Sequence, residues 1–166
     1  IIIKKCIKEK VLKFSNKYFN NTTVSIHIRT WYSTFNNSCN NSKAKMRNKN
    51  SELLLNSIYK LIDERIKNDD NITFFIAIDN YKFRDIIKKK YPNKIIFYER
   101  SNDLNNIQND FVELLLLGYN KELIGNNRST FSKWSWYFKQ DICKKTIMLD
   151  QVTGQIYYKG SKNTTQ

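Results

Sequence analysis

Glycine and proline are scarce in this chain of 166 residues, which holds four glycines and one proline. A chain so poor in both is neither collagen-like nor a low-complexity linker. Its glycines form no GxGxxG and no GxxxxGK[ST], so the loops that commonly cradle dinucleotides and nucleoside triphosphates are missing. A single histidine, His27, leaves Ser/His and metal catalysis without parts, and there is no GxSxG. The three cysteines, Cys6, Cys39 and Cys143, lie far apart in no CxxC or Cys/His spacing, which speaks against a disulfide scaffold and a zinc site. No apolar run nears the roughly 20 residues that cross a bilayer. No signal peptide is read, and the compartment stays open between the cytoplasm and a secretory lumen.

Basic residues are what the chain has in excess: 29 Lys and Arg against 15 Asp and Glu, a formal charge of +14. Such a charge attracts nucleic acid, anionic membranes or phosphorylated small molecules. AT-rich codons, which favour the abundant Lys, Asn and Ile, produce the same charge without any ligand. They also generate chance N-x-S/T sequons, as at Asn21, Asn71 and Asn127. With 40% hydrophobic residues, the length suits one domain over residues 1–166 with a single core. The chain opens on Ile1 inside an apolar pattern, as a piece of a longer protein or a processed chain would.

Apolar residues at helical spacing, Ile3, Ile7, Val11 and Phe14, predict a helix to about Tyr18. The β-branched Val24, Ile26 and Ile28 predict a strand from Val24 to Arg29. Thr30 to Asn50 has no period and reads as a long polar loop. Ser51 is then expected to cap a helix whose apolar face is Leu54, Ile58, Leu61, Ile62 and Ile66. The apolar run Ile72 to Ile78 predicts a strand buried on both faces, ending at Asp79. A short helix over Lys82 to Lys90 stops before Pro92.

Lys94 to Tyr98 reads as a third strand. A helix over Asn105 to Leu117 follows, with Ile107, Phe111, Leu114 and Leu115 on one face and Gly118 as its C-cap. Glu122 to Gly125, Thr146 to Leu149 and an edge at Gln155 to Tyr158 read as strands, with a helix carrying Phe131, Trp134 and Phe138 between the first two. Alternating strands and helices predict an α/β fold, a Rossmann-like parallel sheet with helices on both faces.

Two strand ends carry the chemistry. Alternation puts His27 and Arg29 on one face, with Arg29 nearest the rim, where ligands of open parallel sheets bind. An arginine there can fork two donors onto a phosphate; equally, Arg29 can pair with a carboxylate and His27 can be a satisfied core histidine. The second junction, Gly125 to Ser132, brings Ser129, Thr130 and Ser132 to a helix N-terminus, whose free N–H groups favour an anion. Plain capping is the alternative. Together the junctions would form a two-sided diphosphate clamp. Asp79 at the same rim, and Asp110 and Glu113 one turn apart on a helix, are carboxylates that could accept from a ribose or a guanine edge.

VSIHIR, then FFIAID, then LLLLGYN leading into LIGNNRSTFSKWSW, resembles the donor-binding half of the fucosyltransferases that use GDP-fucose. The similarity is greatest to the α1,2- and α1,6-fucosyltransferases and their protein O-fucosyltransferase relatives, and it covers about residues 20–140. Those enzymes carry a His-x-Arg at a strand end and a Ser-Ser/Thr-Phe-Ser run before a late helix. The resemblance implies the C-terminal half of a GT-B-type glycosyltransferase, with two Rossmann-like domains. It implies metal-independent, inverting transfer of L-fucose from GDP-fucose to a hydroxyl of a glycan or protein, with no cofactor. Arg29 would bind the β-phosphate and stabilise the leaving diphosphate, and His27 would contact the nucleotide or hold the arginine. Glu113 would read the guanine, with Asp110 as second choice. Ser129, Thr130, Phe131 and Ser132 would line the phosphates and the sugar. The family usually continues His-x-Arg-Arg, often with Gly-Asp, whereas Thr30 and Trp31 follow Arg29 here; Arg128 is the candidate for the missing charge.

Two other functions fit parts of the sequence. A basic nucleic-acid-binding α/β domain would use the loop's Lys43, Lys45, Arg47 and Lys49, with Trp31, Tyr32 and Phe35 as stacking platforms. A non-catalytic transferase homologue would serve as an interaction module.

Overall fold

The computed structural model describes residues 2–30, 42–139, 143 and 145–161. Among these residues are five helices and six strands, alternating up to β5: α1 (Lys5–Tyr18), β1 (Val24–Ile28), α2 (Ser42–Asn68), β2 (Phe74–Ile78), α3 (Tyr81–Lys90), β3 (Ile95–Ile96), α4 (Asn106–Leu117), β4 (Glu122–Asn126), α5 (Thr130–Tyr137), β5 (Lys145–Leu149) and β6 (Ile156–Ser161). The strands form one sheet in the order β3-β2-β1-β4-β5-β6. All pairings are parallel except β5 with β6, which is antiparallel. The Rossmann-like sheet expected from the βα alternation is present, and its order reverses between β1 and β4. That is the topological switch point, where a crevice opens beyond the strand ends.

Alternation along the strands divides the core into two layers. Val24, Ile26 and Ile28 of β1 and Phe74, Ile76 and Ile78 of β2 face α2 and α3, where Leu54, Ile58, Ile62 and Ile87 cover them. Phe75 and Ala77 face the other way, against Ile7 and Val11 of α1 and the Val112 and Leu114 to Leu117 stretch of α4. Every residue of β1, β2 and β4 is buried, as strands covered on both sides must be. His27 therefore belongs to the α1/α4/α5 layer.

Several expectations are corrected. The loop expected to run to Asn50 ends earlier, because α2 begins at Ser42. Ser51 lies inside that helix, buried, and not at its N-terminus. Lys, Ala, Met and Arg over residues 43–47 are good helix formers without an apolar period, so propensity and not patterning announces this turn. Trp31, Tyr32 and Phe35 lie outside the described residues. β3 is trimmed to Ile95–Ile96.

On α4, Ile107 is 79% exposed, not core. The inward position next to it is taken by the buried Asn109, whose amide donates to the carbonyls of Ser101, Leu104 and Asn105 and accepts from Tyr98 Oη and Ser101 N–H. Gly118 does cap α4, with an ordinary φ of −82°. Glycine is needed there for close approach: a Cβ would lie 2.8 Å from both Lys139 Cα and the Ser135 carbonyl. Among the described residues, no helix is long and apolar enough to cross a membrane.

Candidate functional site

At the switch point, β1 delivers Arg29 one residue past its end, and the main chain there is latched on both sides. Its N–H donates to Asn126 Oδ1 (2.7 Å) at the end of β4, and its carbonyl accepts from Gln151 Nε2 (3.0 Å) after β5. Only the guanidinium is left in solvent, with the side chain 50% exposed and Nη1 3.5 Å from Asp79 Oδ2. Asp79 is itself tethered through Oδ1, which accepts from the N–H and hydroxyl of Thr30 at 2.9 and 2.8 Å. A carboxylate so occupied serves first to aim Arg29.

His27 lies beneath. Its Nδ1 is 2.7 Å from Ser132 Oγ, and that hydroxyl accepts from the Asn126 N–H at 2.9 Å. A hydroxyl that accepts from an amide still has its one proton to give, and Nδ1 is its partner here. The imidazole proton then sits on Nε2. Burial, helped by the Arg29 charge, lowers the His27 pKa to about 3, so the ring is neutral at physiological pH. Phe131 packs against it with ring centroids 5.0 Å apart.

The facing wall is the N-terminus of α5. Ser129 caps it, its hydroxyl accepting from the Ser132 N–H. Gly125 makes the packing possible, since a Cβ there would fall 2.9 Å from both Ser132 Oγ and Met148 Sδ. Gly125 is thus a contact glycine that lets α5 seat on β4.

These walls enclose a cavity of about 430 Å³ lined by residues from β1, β2, α3, α4 and the β4–α5 turn. Of the residues expected from the sequence, His27, Arg29, Asp79, Asp110, Glu113, Arg128, Ser129, Thr130 and Phe131 all line it. Ser132, expected to line it too, does not: it is fully buried below, in the hydrogen-bond chain that holds His27. Arg128 is exposed and lies 3.9 Å from Asp150 Oδ2.

Beyond Asp110 and Glu113, the far end of the cavity was hidden in the sequence. Arg100 lines it, ion-paired with Asp110, and so does Tyr81. Behind them Arg84 stacks its guanidinium over Tyr81 (4.5 Å) and Phe97 (4.9 Å) and reaches Glu113 Oε1 at 3.5 Å. Burial outweighs Arg84 and Arg100 and pushes the Glu113 carboxyl up to about 7. Asp79 at a strand end and Asn80 as N-cap of α3 were the nearest signals that Tyr81 faces the same rim. Nothing local marks Arg84 or Arg100, which act through partners 29 and 10 residues away. Among the described residues there is no cluster of three or more His, Cys, Asp or Glu that could hold a metal ion.

No protein-family model and no curated protein sequence matches the chain. Solved structures do. Fucosyltransferase NodZ from Bradyrhizobium superposes with a TM-score of 0.62 at 13% identity, over 94% of this chain and 47% of that one. NodZ alpha-1,6-fucosyltransferase soaked with GDP-fucose gives 0.64 at 11% identity, over 96% and 49%. POFUT1 in complex with GDP-fucose gives 0.55 at 18% identity, over 80% and 41%. The chain spans about half the length of these proteins, and in fold it is similar to that half of the GDP-fucose-dependent fucosyltransferases.

Proposed function

We propose that the chain is the nucleotide-sugar-binding domain of a GT-B-type glycosyltransferase, transferring L-fucose from GDP-fucose to a hydroxyl of a glycan or protein. One observation carries the reading. A latched arginine at the end of β1 and the N-terminus of α5 at the end of β4 face each other across one cavity at the switch point. That is a two-sided cradle for a diphosphate. The solved fucosyltransferases of the same fold, one soaked with GDP-fucose and one in complex with it, support the choice of donor.

In this reading the acceptor oxygen attacks the anomeric carbon while the bond from that carbon to the β-phosphate oxygen breaks, inverting the centre. Negative charge grows on the departing diphosphate. Arg29, aimed by Asp79 and with its backbone already fixed, meets that charge without reorganising, and the N–H groups of the first turn of α5 add to it. Arg128 supplies a second cation at the rim. His27, neutral, donates from Nε2 and cannot repel Arg29. Glu113 accepts from the guanine N–H edge, while Asp110 is engaged with Arg100. No metal or cofactor takes part.

Calorimetric titration with GDP and GDP-fucose tests this on the native chain and on Arg29→Ala. Micromolar to millimolar binding that Arg29→Ala weakens by about 10- to 100-fold is expected, the loss of a charge-assisted contact of roughly 1.5–3 kcal/mol. Silence toward GDP, UDP and their sugars from a folded chain would sink the reading.

A further inference from the structure

Tyr81 stands at the far end of the main cavity as the first residue of α3. Its backbone is set by the cap before it, where the buried Asn80 side chain accepts from the Lys82 N–H at 3.1 Å. The ring has one face covered. Arg84, one turn on, lays its guanidinium 4.5 Å from the ring centroid, and Phe97 backs that guanidinium at 4.9 Å. The Arg84 side chain is only 12% exposed and is paired with Glu99 and Glu113, so it is a fixed backing and not a solvent arm. The Tyr81 hydroxyl lies beside Arg100, which lines the same end. Pinned at its edge and on one face, Tyr81 is still 55% exposed. An aromatic ring backed on one side and open on the other is a stacking surface for something flat.

We infer that the open face of Tyr81 is the platform on which the base of the donor nucleotide stacks, which makes Tyr81 a specificity-determining residue for a purine. The inference rests on the donor reading above. A nucleotide sugar laid with its diphosphate between Arg29 and the first turn of α5 has its base and its sugar at opposite ends. The carboxylate that can read a base edge, Glu113, is at the Tyr81 end, joined to it through Arg84. Stacking sets the plane of the base, and Glu113 then meets its edge. The Arg84 charge behind the ring draws π density away from the open face, and a depleted face suits an electron-rich partner. Guanine is the most electron-rich of the bases, and its fused rings cover more of the platform than a pyrimidine does. A saturated sugar offers C–H bonds instead, which a depleted face holds less well.

The test is calorimetric titration of the native chain, Tyr81→Leu and Tyr81→Phe with GDP, GDP-fucose and inorganic pyrophosphate, alongside the proton spectrum of GDP as it binds. Leucine keeps an apolar side chain against Arg84 and loses the π face; phenylalanine keeps the face and loses the hydroxyl. Tyr81→Leu is expected to weaken GDP and GDP-fucose alike by about tenfold, within the range for one base on one aromatic ring, and to leave pyrophosphate within about twofold. Tyr81→Phe should stay within about twofold of the native chain for all three. In the native chain the guanine H8 proton should move upfield on binding, under the ring current of the tyrosine, and that shift should shrink in Tyr81→Leu.

GDP affinity in Tyr81→Leu within about twofold of native overturns the platform and spares the donor reading. So does a loss shared equally by pyrophosphate, which would make Tyr81 a support of the phosphate cradle, or a loss for GDP-fucose alone, which would put the sugar on the ring. Equal losses in Tyr81→Leu and Tyr81→Phe would assign the effect to the hydroxyl and its neighbour Arg100, and overturn the platform as well. A folded native chain that does not bind GDP overturns the platform and the donor reading together.

Discussion

The two ends of the main cavity are built in different ways. At the end where β1 meets β4, position comes from the main chain: Arg29 is held through its N–H and carbonyl, and α5 presents its first turn because Gly125 lets it sit on β4. At the far end, position comes from side chains leaning on one another. Arg84 is stacked between two rings and paired with Glu113, and Arg100 is paired with Asp110. Main-chain anchoring survives a change of pH or salt, whereas a lattice of ion pairs and one carboxyl poised near neutrality does not. The β1–β4 end should keep its geometry under most conditions, and the far end should be tunable.

The contrast is broken most severely by Arg29→Ala, expected to remove about 1.5–3 kcal/mol of GDP binding with the melting temperature unchanged, since the lost side chain is half exposed. Binding that survives would mean the helix N-terminus alone holds the diphosphate. Gly125→Val strikes the other wall. Its branched side chain meets Ser132 and Met148, and thermal unfolding should show a loss of about 1–3 kcal/mol. An unchanged melting temperature would show that α5 can lift without cost.

Glu113→Gln sharpens the contrast. Glu113 is held up to about 7, so in the free protein the carboxyl is protonated below that pH and ionised above it. Only the carboxylate accepts from both guanine N–H groups, so GDP affinity should rise with pH through about 7. The β-phosphate of GDP titrates nearby, with a pKa of about 6, and contributes a rise of its own. The comparison is therefore between profiles: the glutamine variant should keep the phosphate step, lose the carboxyl step, and bind GDP about tenfold more weakly at pH 8. Profiles that superpose would remove Glu113 from the base.

The same group predicts stability without ligand. Because its folded pKa is raised above the usual 4.5, the folded state binds more protons between about 4.5 and 7, and Glu113 erodes stability as pH rises across that window. His27 acts oppositely: its folded pKa is lowered from 6.5 to about 3, so its contribution is lost as pH falls below about 6.5. The smallest effect is that of Arg84→Met, which removes the nearest cation and should move the Glu113 step in the GDP profile upward in pH. A midpoint that stays put would assign the tuning to Arg100.

What was legible in the sequence follows the same division. The strand ends at Arg29 and Ser129 were visible because local patterning and capping chemistry place them. Their meeting across one cavity required the strand order, which puts β1 beside β4 with five intervening elements between them in the chain. Asn126 and Gln151 gave no signal, since an Asn in a turn and a Gln after a strand are ordinary. Their roles depend on contacts to a residue 97 and 122 positions away. Ile107 misled because apolar periodicity cannot tell a helix face that Asn109 fills with satisfied polar bonds from one that wants hydrocarbon. The start of α2 was missed for the opposite reason, being helix by propensity with no apolar stripe.

The double latch on Arg29 has a consequence for motion. Bonds at its N–H and its carbonyl join the end of β1 to β4 and to the turn after β5, so these segments travel as one plate. A ligand entering the cavity would meet this edge of the sheet as one solid piece. The remaining freedom is the swing of one guanidinium, so fast side-chain motion at Arg29 should coexist with an amide proton that exchanges among the slowest in the chain.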